Sequence, residues 1–253
     1  MDNLKPKKHL GQHFLRDPLT AERIANSLKA RPEQQVVEIG PGQGVLTDLL
    51  WPKYSELQLV EVDPEAVAWL NQHYGENGPK IVHQDILKWE PKAHLQANAA
   101  FIGNLPYNIS SPIFFSLLEN LEYIEEGVFM IQKEVAQRIC ANEGSKTYGI
   151  LSVLLGAYFE RSYEFSVPPH VFRPPPKVQS GVIRLVRKTD LPTVPFVKLK
   201  RLVKAAFNQR RKTLRNALKV VEMEPFPDQE VILKLRAEQL PVEKFVELVG
   251  YMK

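Results

Sequence analysis

The sequence has little cysteine and no long apolar run, and both shortages restrict the class of protein. Cys140 is the single cysteine among 253 residues, so no internal disulfide can form and we expect a reducing, cytoplasmic setting. No stretch approaches the apolar length that a membrane-spanning helix needs, so we expect no membrane partner. The basic start, MDNLKPKKHLGQHFLRD, has no apolar run of the signal-peptide type, and we expect no secretory leader.

A complete set of metal ligands is also missing. His9 and His13 are four residues apart, which on a helix would place two ligands on one face. Gly11 between them disfavours a helix, and no acidic third ligand lies nearby in the sequence. We therefore expect no metal.

Charge is distributed unevenly along the chain. The segment from Lys198 to Lys219 contains nine basic residues and no acidic one, so the rest of the chain carries −5 although the whole carries +4. A basic module of this kind often faces phosphate groups. It can also be a solvated face, or pair with acidic residues elsewhere in the chain.

The first two-thirds of the chain alternates between short apolar runs and helical patterns. QVVEIG, LQLVEVD, KIVHQD, AAFIGN and EGVFMIQ are rich in Val, Ile or Phe and predict five strands. Segments such as GVLTDLLW and PEAVAWLNQHY between them predict helices. This alternation predicts an α/β fold with a Rossmann-like, mostly parallel sheet, in which ligands bind at the carboxyl ends of the strands.

Two changes of pattern follow. RSYEFSVPPHVFRPPPKVQSGVIRLVR predicts two strands around a proline-rich loop, which close the sheet with a terminal antiparallel strand. After RKTDLPTVP the pattern is helical only. We therefore predict a catalytic domain over residues 1–188 and a small all-helical domain over residues 189–253.

The segment VVEIGPGQGVLT places three glycines between a strand and a helix. Glycine permits a tight turn and a close approach of the backbone to a ligand, which makes Gly40 and Gly42 candidate binding residues. The dinucleotide fingerprint would need a third glycine at position 45, which is Val45. The spacing instead resembles the first motif of methyltransferases that use S-adenosylmethionine.

Acidic residues end the next two strands. Glu61 and Asp63 share a strand face, and an acid about twenty residues past the glycines can accept hydrogen bonds from ribose hydroxyls. Asp63 precedes Pro64 and suits a helix cap, so we assign the ribose to Glu61. Asp85 ends the third strand, and its carboxylate can accept from the exocyclic amine of an adenine.

The segment NLPY follows the fourth strand and predicts a pocket for an adenine amine. The lone pair of that amine is delocalised into the ring, and two acceptors at its hydrogens would localise it. The Asn104 side-chain oxygen and the Leu105 carbonyl are adjacent acceptors, and Pro106 restricts the turn that aims them. Tyr107 offers a face on which a flipped base can stack.

Motifs along nearly the whole chain resemble the KsgA family of ribosomal RNA adenine dimethyltransferases. They are GQHFL, EIGPGQGVLT, EVD, QDIL, NLPYNIS, QKEVAQRI, PPHVFRPPPKV and AFNQRRKTLRNAL, in the family's order. The resemblance implies S-adenosylmethionine as the methyl donor, contacted at His13, Leu15, Gly40, Glu61, Asp85 and Asn104. The family often has Asn where His13 stands, which a backbone or simple polar contact would tolerate.

The resemblance also implies a position for Phe172 and the nature of the substrate. Related enzymes place a ring against the target base at this position, so Phe172 and Tyr107 could sandwich it; a core plug under the proline-rich loop is the alternative. The implied reaction forms N6,N6-dimethyladenosine at two adjacent adenines, in a hairpin loop near the 3′ end of small-subunit ribosomal RNA. We expect a monomer that acts on an assembling small subunit.

Two other functions remain open. One is a methyltransferase that acts on large-subunit RNA and confers resistance, against which NLPY in place of NIPY and the FNQRRKTLRN block argue. The other is a non-catalytic assembly or transcription factor that kept the fold, against which the intact glycines, Glu61, Asp85 and NLPY argue. We expect Arg210, Arg211, Lys212 and Arg215 to contact RNA phosphates.

Overall fold

The apolar segments of the chain form one large sheet and a small ribbon. The computed structural model describes residues 4–96 and 98–253. Its strands are β1 Phe14–Leu15, β2 Val36–Ile39, β3 Leu57–Glu61, β4 Lys80–His83, β5 Ala99–Asn104, β6 Ile124–Gln132, β7 Phe159–Val167, β8 Phe172–Arg173 and β9 Ser180–Arg187. The five strands expected in the first part of the chain, β2 to β6, are confirmed.

The large sheet has the order β4-β3-β2-β5-β6-β9-β7, and β1 pairs with β8 in a separate antiparallel ribbon. Neighbours from β4 to β6 pair in parallel, whereas β9 pairs antiparallel with β6. Every residue of β2 and β3 is buried, as expected for parallel strands covered on both faces. The predicted closure of a mostly parallel sheet by an antiparallel strand is confirmed.

Helices connect the strands and form most of the C-terminal part of the chain. They are α1 Pro18–Ser27, α2 Thr47–Leu50, α3 Pro64–Tyr74, α4 Ser110–Glu119, α5 Lys133–Ile139, α6 Ile150–Tyr158, α7 Phe196–Asn208, α8 Leu214–Ala217, α9 Gln229–Ile232 and α10 Val242–Val249. Asp17 and Asp63 cap α1 and α3 by accepting from backbone N–H groups, with a proline at the start of each helix. In the part of the chain that the structure describes, none of the helices is both long and apolar enough to cross a membrane.

The chain divides into two compact units. The first runs up to Ala136 and includes Ser162–Arg187; the second comprises Gln137–Arg161 and Lys188–Lys253. The later junction lies within a residue of the boundary expected at residue 188. Residues 137–161, which the sequence placed in the first domain, instead pack with the C-terminal helices.

Packing of α6 explains that difference. Its residues from Leu151 to Tyr158 are all buried, and the helix contacts α7 and α10. Phe207 of α7 and Phe245 of α10 stack with ring centroids 5.9 Å apart. A helix that is apolar on all sides must be surrounded, and the sequence does not say by which neighbours.

Candidate active site

The predicted ligand-binding residues of the sheet meet at one cleft in the first unit. Gly40 follows β2, Glu61 ends β3, Asp85 follows β4 and Asn104 ends β5, and all four line the cleft. The cleft contains about 700 Å³ of empty space, part of it open to solvent. The carboxyl ends of neighbouring parallel strands lie at one edge of the sheet, which is why residues far apart in sequence converge here.

The glycine turn between β2 and α2 needs glycine for two reasons. Gly40 has a φ of 64° and Gly42 a φ of 55°, a left-handed backbone that other residues rarely adopt. A Cβ at Gly42 would lie 2.9 Å from the Phe14 ring, whereas one at Gly40 would meet nothing within 4 Å. The backbone of Gly40 therefore faces open space in the cleft, where a ligand can approach it.

Glu61 brings a buried carboxylate to the cleft. Its Oε1 accepts from the backbone N–H groups of Val62 and Asp63 at 2.9 Å each, and its Oε2 accepts from Gly42 N at 3.2 Å. Burial raises the pKa of Glu61, and these hydrogen bonds oppose the rise because they favour the charged form. Oε2 has one long hydrogen bond, so it has lone-pair capacity to accept from a ligand hydroxyl.

Asp63 and Asp85 have different environments. Asp63 caps α3 by accepting from Glu65 N at 3.0 Å, and it also binds Lys7 Nζ at 2.6 Å and Gln12 Nε2 at 3.0 Å. Asp63 therefore serves as the expected helix cap. Asp85 lines the cleft and accepts from Leu87 N at 3.0 Å through Oδ1. That bond holds the carboxylate in place while Oδ2 remains the oxygen that a ligand amine can reach.

Asn104 has its side chain fixed by the backbone of the residue that precedes β1. Its Nδ2 donates to the His13 carbonyl oxygen at 2.9 Å, so its Oδ1 is the group left to accept from a ligand. Leu105 N donates to Met130 O at 3.0 Å, which fixes the peptide next to it. Asn104 and Leu105 both line the cleft, together with Pro106.

Tyr107 lies in the cleft with its ring held at both ends. Its hydroxyl is 2.6 Å from Ser180 Oγ, and its ring stacks on the His13 imidazole with centroids 5.5 Å apart and planes at 29°. His13 Nδ1 in turn lies 2.8 Å from Pro174 O. Burial raises the pKa of Tyr107, which keeps the phenol neutral at physiological pH. His13 covers one face of the Tyr107 ring.

Two residues that the resemblance implied do not line the cleft. Phe172 is 4% exposed and belongs to the apolar core with Val167 and Val182, so in this structure it plugs the core under the proline-rich loop and forms no wall of the cleft. It pairs with Leu15 across the ribbon of β1 and β8, and both side chains belong to that core. Leu15 lines a smaller adjoining cavity with Gly40, Gly42 and Asn104.

Phe14 is a cleft residue that the sequence reasoning did not select. It lines the cleft and the smaller cavity, and its ring packs against the backbone of Gly42. Its alternation with the buried Leu15 in the GQHFL segment is the signal in the sequence, since neighbouring strand residues face opposite sides.

Glu38 lies behind the glycine turn and is fully buried. Its Oε2 accepts from Thr47 Oγ1 at 2.7 Å, and it lines the smaller cavity. Burial raises the pKa of Glu38 to about 8, because a charged carboxylate is poorly solvated there. Glu38 is therefore a neutral acid at neutral pH and stabilises the turn as a hydrogen-bonding group.

The four basic residues expected to bind RNA lie in the second unit and fall into two pairs. Arg210 Nε binds Glu238 Oε2 at 2.9 Å and its Nη2 donates to the carbonyl oxygens of Lys146 and Tyr148, while Arg215 binds Glu230 at 2.6 Å. Arg211 and Lys212 are exposed, and their side chains have no acidic partner among residues 4–96 and 98–253.

No group of three or more His, Cys, Asp or Glu residues is arranged to hold a metal ion in the described ranges.

The sheet order, the glycine turn and the acidic residues at consecutive strand ends are those of a Rossmann-like methyltransferase.

Solved structures agree with this class. A dimethyladenosine transferase from Plasmodium falciparum is similar in fold, with a TM-score of 0.82 at 24% identity over 95% of this chain and 99% of that one. The 23S rRNA methyltransferase ErmE is similar with a TM-score of 0.73 at 26% identity over 94% of this chain and 99% of that one.

Sequence comparison gives the family. The family model for ribosomal RNA adenine dimethylase matches residues 3–253, so the chain belongs to that family. A protein of Flavobacterium johnsoniae called ribosomal RNA small subunit methyltransferase A is 47% identical over 98% of this chain and 96% of its own length. A protein of Bacteroides thetaiotaomicron with the same name is 46% identical over 100% of this chain and 96% of its own length. The expected family is confirmed.

Proposed function

We propose that this enzyme transfers methyl groups from S-adenosylmethionine to N6 of two adjacent adenines in small-subunit ribosomal RNA, which gives N6,N6-dimethyladenosine. The adenines would lie in a hairpin loop near the 3′ end of that RNA. Membership of the adenine dimethylase family and the similarity to relatives named small subunit methyltransferase A support the substrate. The orientation of the Asn104 amide is the structural observation that carries the chemistry.

The cleft fits the methyl donor. The backbone at Gly40 is open to a ligand, Glu61 offers Oε2 to the ribose, and Asp85 offers a free oxygen to the adenine amine. The main-chain atoms of His13 and Leu15 are the remaining expected contacts, which agrees with the Leu15 side chain belonging to the core. When bound, S-adenosylmethionine supplies an electrophilic methyl group on a positively charged sulfur.

The acceptor side of the reaction relies on positioning. Asn104 Oδ1 and the Leu105 carbonyl accept the two hydrogens of the target amine and favour a localised lone pair on nitrogen. Tyr107 supports the target base, which stacks on the face of the tyrosine ring opposite His13. Acceptors held in advance at the place where positive charge develops lower the barrier without reorganising. No strong base is required, because the amine becomes acidic only as it gains the methyl group.

The basic module would hold the RNA through phosphate contacts. The ion pairs of Arg210 and Arg215 support a division of labour in which Arg211 and Lys212 contact phosphates and the other two shape the loop. We further propose that the protein acts as a monomer in the cytoplasm, on an assembling small subunit.

The experiment uses purified protein, S-adenosylmethionine and ribosomal RNA from cells that lack the protein. We expect mass spectrometry to find two N6,N6-dimethyladenosines in the small-subunit RNA, and far less of them with the Asn104→Ala variant after the same short reaction time. Methylation of large-subunit RNA alone would favour the resistance-type function. Absence of any methyl transfer, with S-adenosylmethionine and RNA both bound, would favour a non-catalytic assembly factor.

A further inference from the structure

A further cavity in the first unit is lined by cations. It contains about 510 Å³ of empty space, part of it open to solvent. Its charged lining residues are Lys5, Arg16 and Arg173, and Gln43 adds a side-chain amide. Of the described residues that line it, none is acidic. The described walls of the cavity therefore carry positive charge and no acidic side chain.

The ribbon of β1 and β8 brings these arginines together. Phe14 pairs with Arg173, and Arg16 N donates to Val171 O at 2.8 Å one step further along. Side chains alternate along a strand, so Phe14, Arg16 and Arg173 share one face of the ribbon. Leu15 and Phe172 occupy the other face and are buried in the core. The buried face thus anchors the ribbon and directs two guanidinium groups to the same side.

The cations of this cavity are not used elsewhere in the described part of the chain. Lys5, Arg16 and Arg173 are exposed, and their side chains form no hydrogen bond or ion pair with residues 4–96 or 98–253. Other cations of the same unit do have partners, such as Lys7, which binds Asp63 at 2.6 Å. Guanidinium groups bind tetrahedral oxyanions through several N–H donors at once, so two of them around one cavity suit a phosphate.

The cationic cavity adjoins the candidate active site. Phe14 lines both the cleft and this cavity, and Gln43 belongs to the glycine turn. The residue before Phe14 is His13, whose carbonyl holds the Asn104 amide. Arg16 is three residues further along an extended segment, a distance of about 10 Å. A strand whose base occupies the cleft can therefore pass the cavity.

We propose that this cavity binds a backbone phosphate of the RNA strand that carries the target adenine. The inference rests on the proposed function and adds a second RNA-contacting site, in the sheet unit. Its role is to orient the strand so that the target base enters at Asn104 and Tyr107. Arg16 and Arg173 are positioning residues, since they act on the strand rather than on the reacting amine.

The test compares RNA binding of the wild type and an Arg16→Gln/Arg173→Gln variant at several salt concentrations. The probe is a short RNA hairpin with the 3′-end sequence of the small-subunit RNA. We expect the variant to bind it roughly 10- to 100-fold more weakly, as for hydrogen bonds to a charged group. The logarithmic salt slope should fall by about 0.7 to 0.9 if one phosphate is lost.

Two further variants make the result specific. Lys80→Gln/Lys92→Gln removes the same charge from two exposed residues, at the start of β4 and in the short helical turn Pro91–Ala93, and should leave the affinity unchanged. Arg16→Lys/Arg173→Lys retains the charge and should recover most of the salt slope. If the glutamine variant folds poorly, the salt slope of the lysine variant still tests whether these positive charges contact a phosphate.

Donor binding and turnover separate this inference from the proposed function. Calorimetry with S-adenosylmethionine should give the same affinity for all variants; a weaker affinity in the glutamine variant would assign the cavity to the donor and overturn the proposal. Parallel salt slopes for the wild type and the glutamine variant would also overturn it. So would an RNA affinity that does not change when inorganic phosphate is added as a competitor. Failure of the wild type to methylate RNA would instead contradict the proposed function.

Discussion

The side-chain amide of Asn104 donates to the carbonyl oxygen of His13, 91 residues earlier in the chain, at 2.9 Å. This bond consumes the donor end of the amide and leaves the acceptor end for a ligand. It also ties the end of β5 to the residue that directly precedes β1, the short strand that carries Phe14 and Leu15. A change at either end therefore alters the aim of the same oxygen.

Replacement of Asn104 by Ala should lower turnover about a hundredfold or more, since loss of one preorganised group typically costs that much. Single-turnover methyl transfer at saturating donor and RNA measures the chemical step. Asn108→Ala is the matched control, because Asn108 lies in the same turn but is exposed and does not line the cleft. Near-wild-type turnover of the Asn104 variant would remove it from the amine pocket.

Replacement of Gly40 by Ala should weaken S-adenosylmethionine binding more than it destabilises the fold. The left-handed backbone costs about 1 to 2 kcal/mol with a Cβ, and the new methyl group also enters open space in the cleft. Gly144→Ala is the matched control, since Gly144 has a φ of 80°, has nothing within 4 Å of its Cβ, and lies outside the cleft. Calorimetry and thermal melting of both variants separate the two effects. If Gly40→Ala binds S-adenosylmethionine as tightly as the wild type does, the ligand does not approach Gly40.

Gly42→Val should abolish donor binding because the new side chain disrupts the glycine turn, not because it fills the space that the ligand occupies. A Cβ at Gly42 meets the Phe14 ring at 2.9 Å, so the substitution must displace Phe14 or the turn. We expect a lower melting temperature together with the lost affinity. Gly42→Val/Phe14→Ala should recover part of the stability, whereas recovery of full donor affinity would show that neither residue contributes to the site.

Two substitutions at Tyr107 distinguish its ring from its hydroxyl. Tyr107→Ala should raise the RNA concentration for half-maximal methylation by about 5- to 150-fold, which corresponds to the loss of about 1 to 3 kcal/mol of base stacking. Tyr107→Phe keeps the ring and loses only the bond to Ser180, at a cost of about 1 kcal/mol in stability. Steady-state kinetics with both variants would contradict the stacking role if the Phe variant were the more impaired.

The free energy of unfolding should fall as the pH rises from about 5 to 8. The pKa of Glu38 is raised in the folded protein to about 8, so the folded state binds a proton there that the unfolded state has released. The slope should be about 1 kcal/mol per pH unit and should level off once the pH has passed above the folded pKa of Glu38. Glu61, whose pKa burial also raises, contributes in the same direction. Asp17 and Asp63 have lowered pKa values, so their contribution is present over this range and is lost only below their ordinary pKa.

Glu38→Gln checks this origin, because glutamine can still accept from Thr47 Oγ1 and does not titrate. Urea denaturation at several pH values should show a flatter profile for the variant, and the two proteins should differ most at pH 8. Identical pH profiles would mean that another group is responsible.

The basic module gives a prediction based on its two pairs of cations. Arg211→Gln/Lys212→Gln should reduce the logarithmic salt slope of RNA binding by about 1.4 to 1.8, if each contacts one phosphate. Arg210→Gln/Arg215→Gln removes the same charge from residues bound to Glu238 and Glu230, and should change the slope less. Fluorescence titration at several salt concentrations compares the two. Equal slopes would mean that the ion pairs do not decide which cations face RNA.

The sequence by itself determined the sheet, the glycine turn and the positions of the cleft acids. Each of these features depends on residues that are close together in the sequence: an apolar strand segment, the glycines that turn the chain after it, or the acidic residue that ends a strand. Glu61, Asp85 and Asn104 could be predicted to converge because parallel strands bring their carboxyl ends to one edge.

Only the tertiary structure decided what depends on distant partners. The assignment of residues 137–161 to the second unit depends on what surrounds α6, and the core position of Phe172 depends on the pairing of β1 with β8. The ion pairs of Arg210 and Arg215 also depend on distant partners, since the acids that bind them lie 28 and 15 residues away in the sequence. Sequence spacing fixes neighbours along a strand or helix, but packing chooses the partners across the molecule.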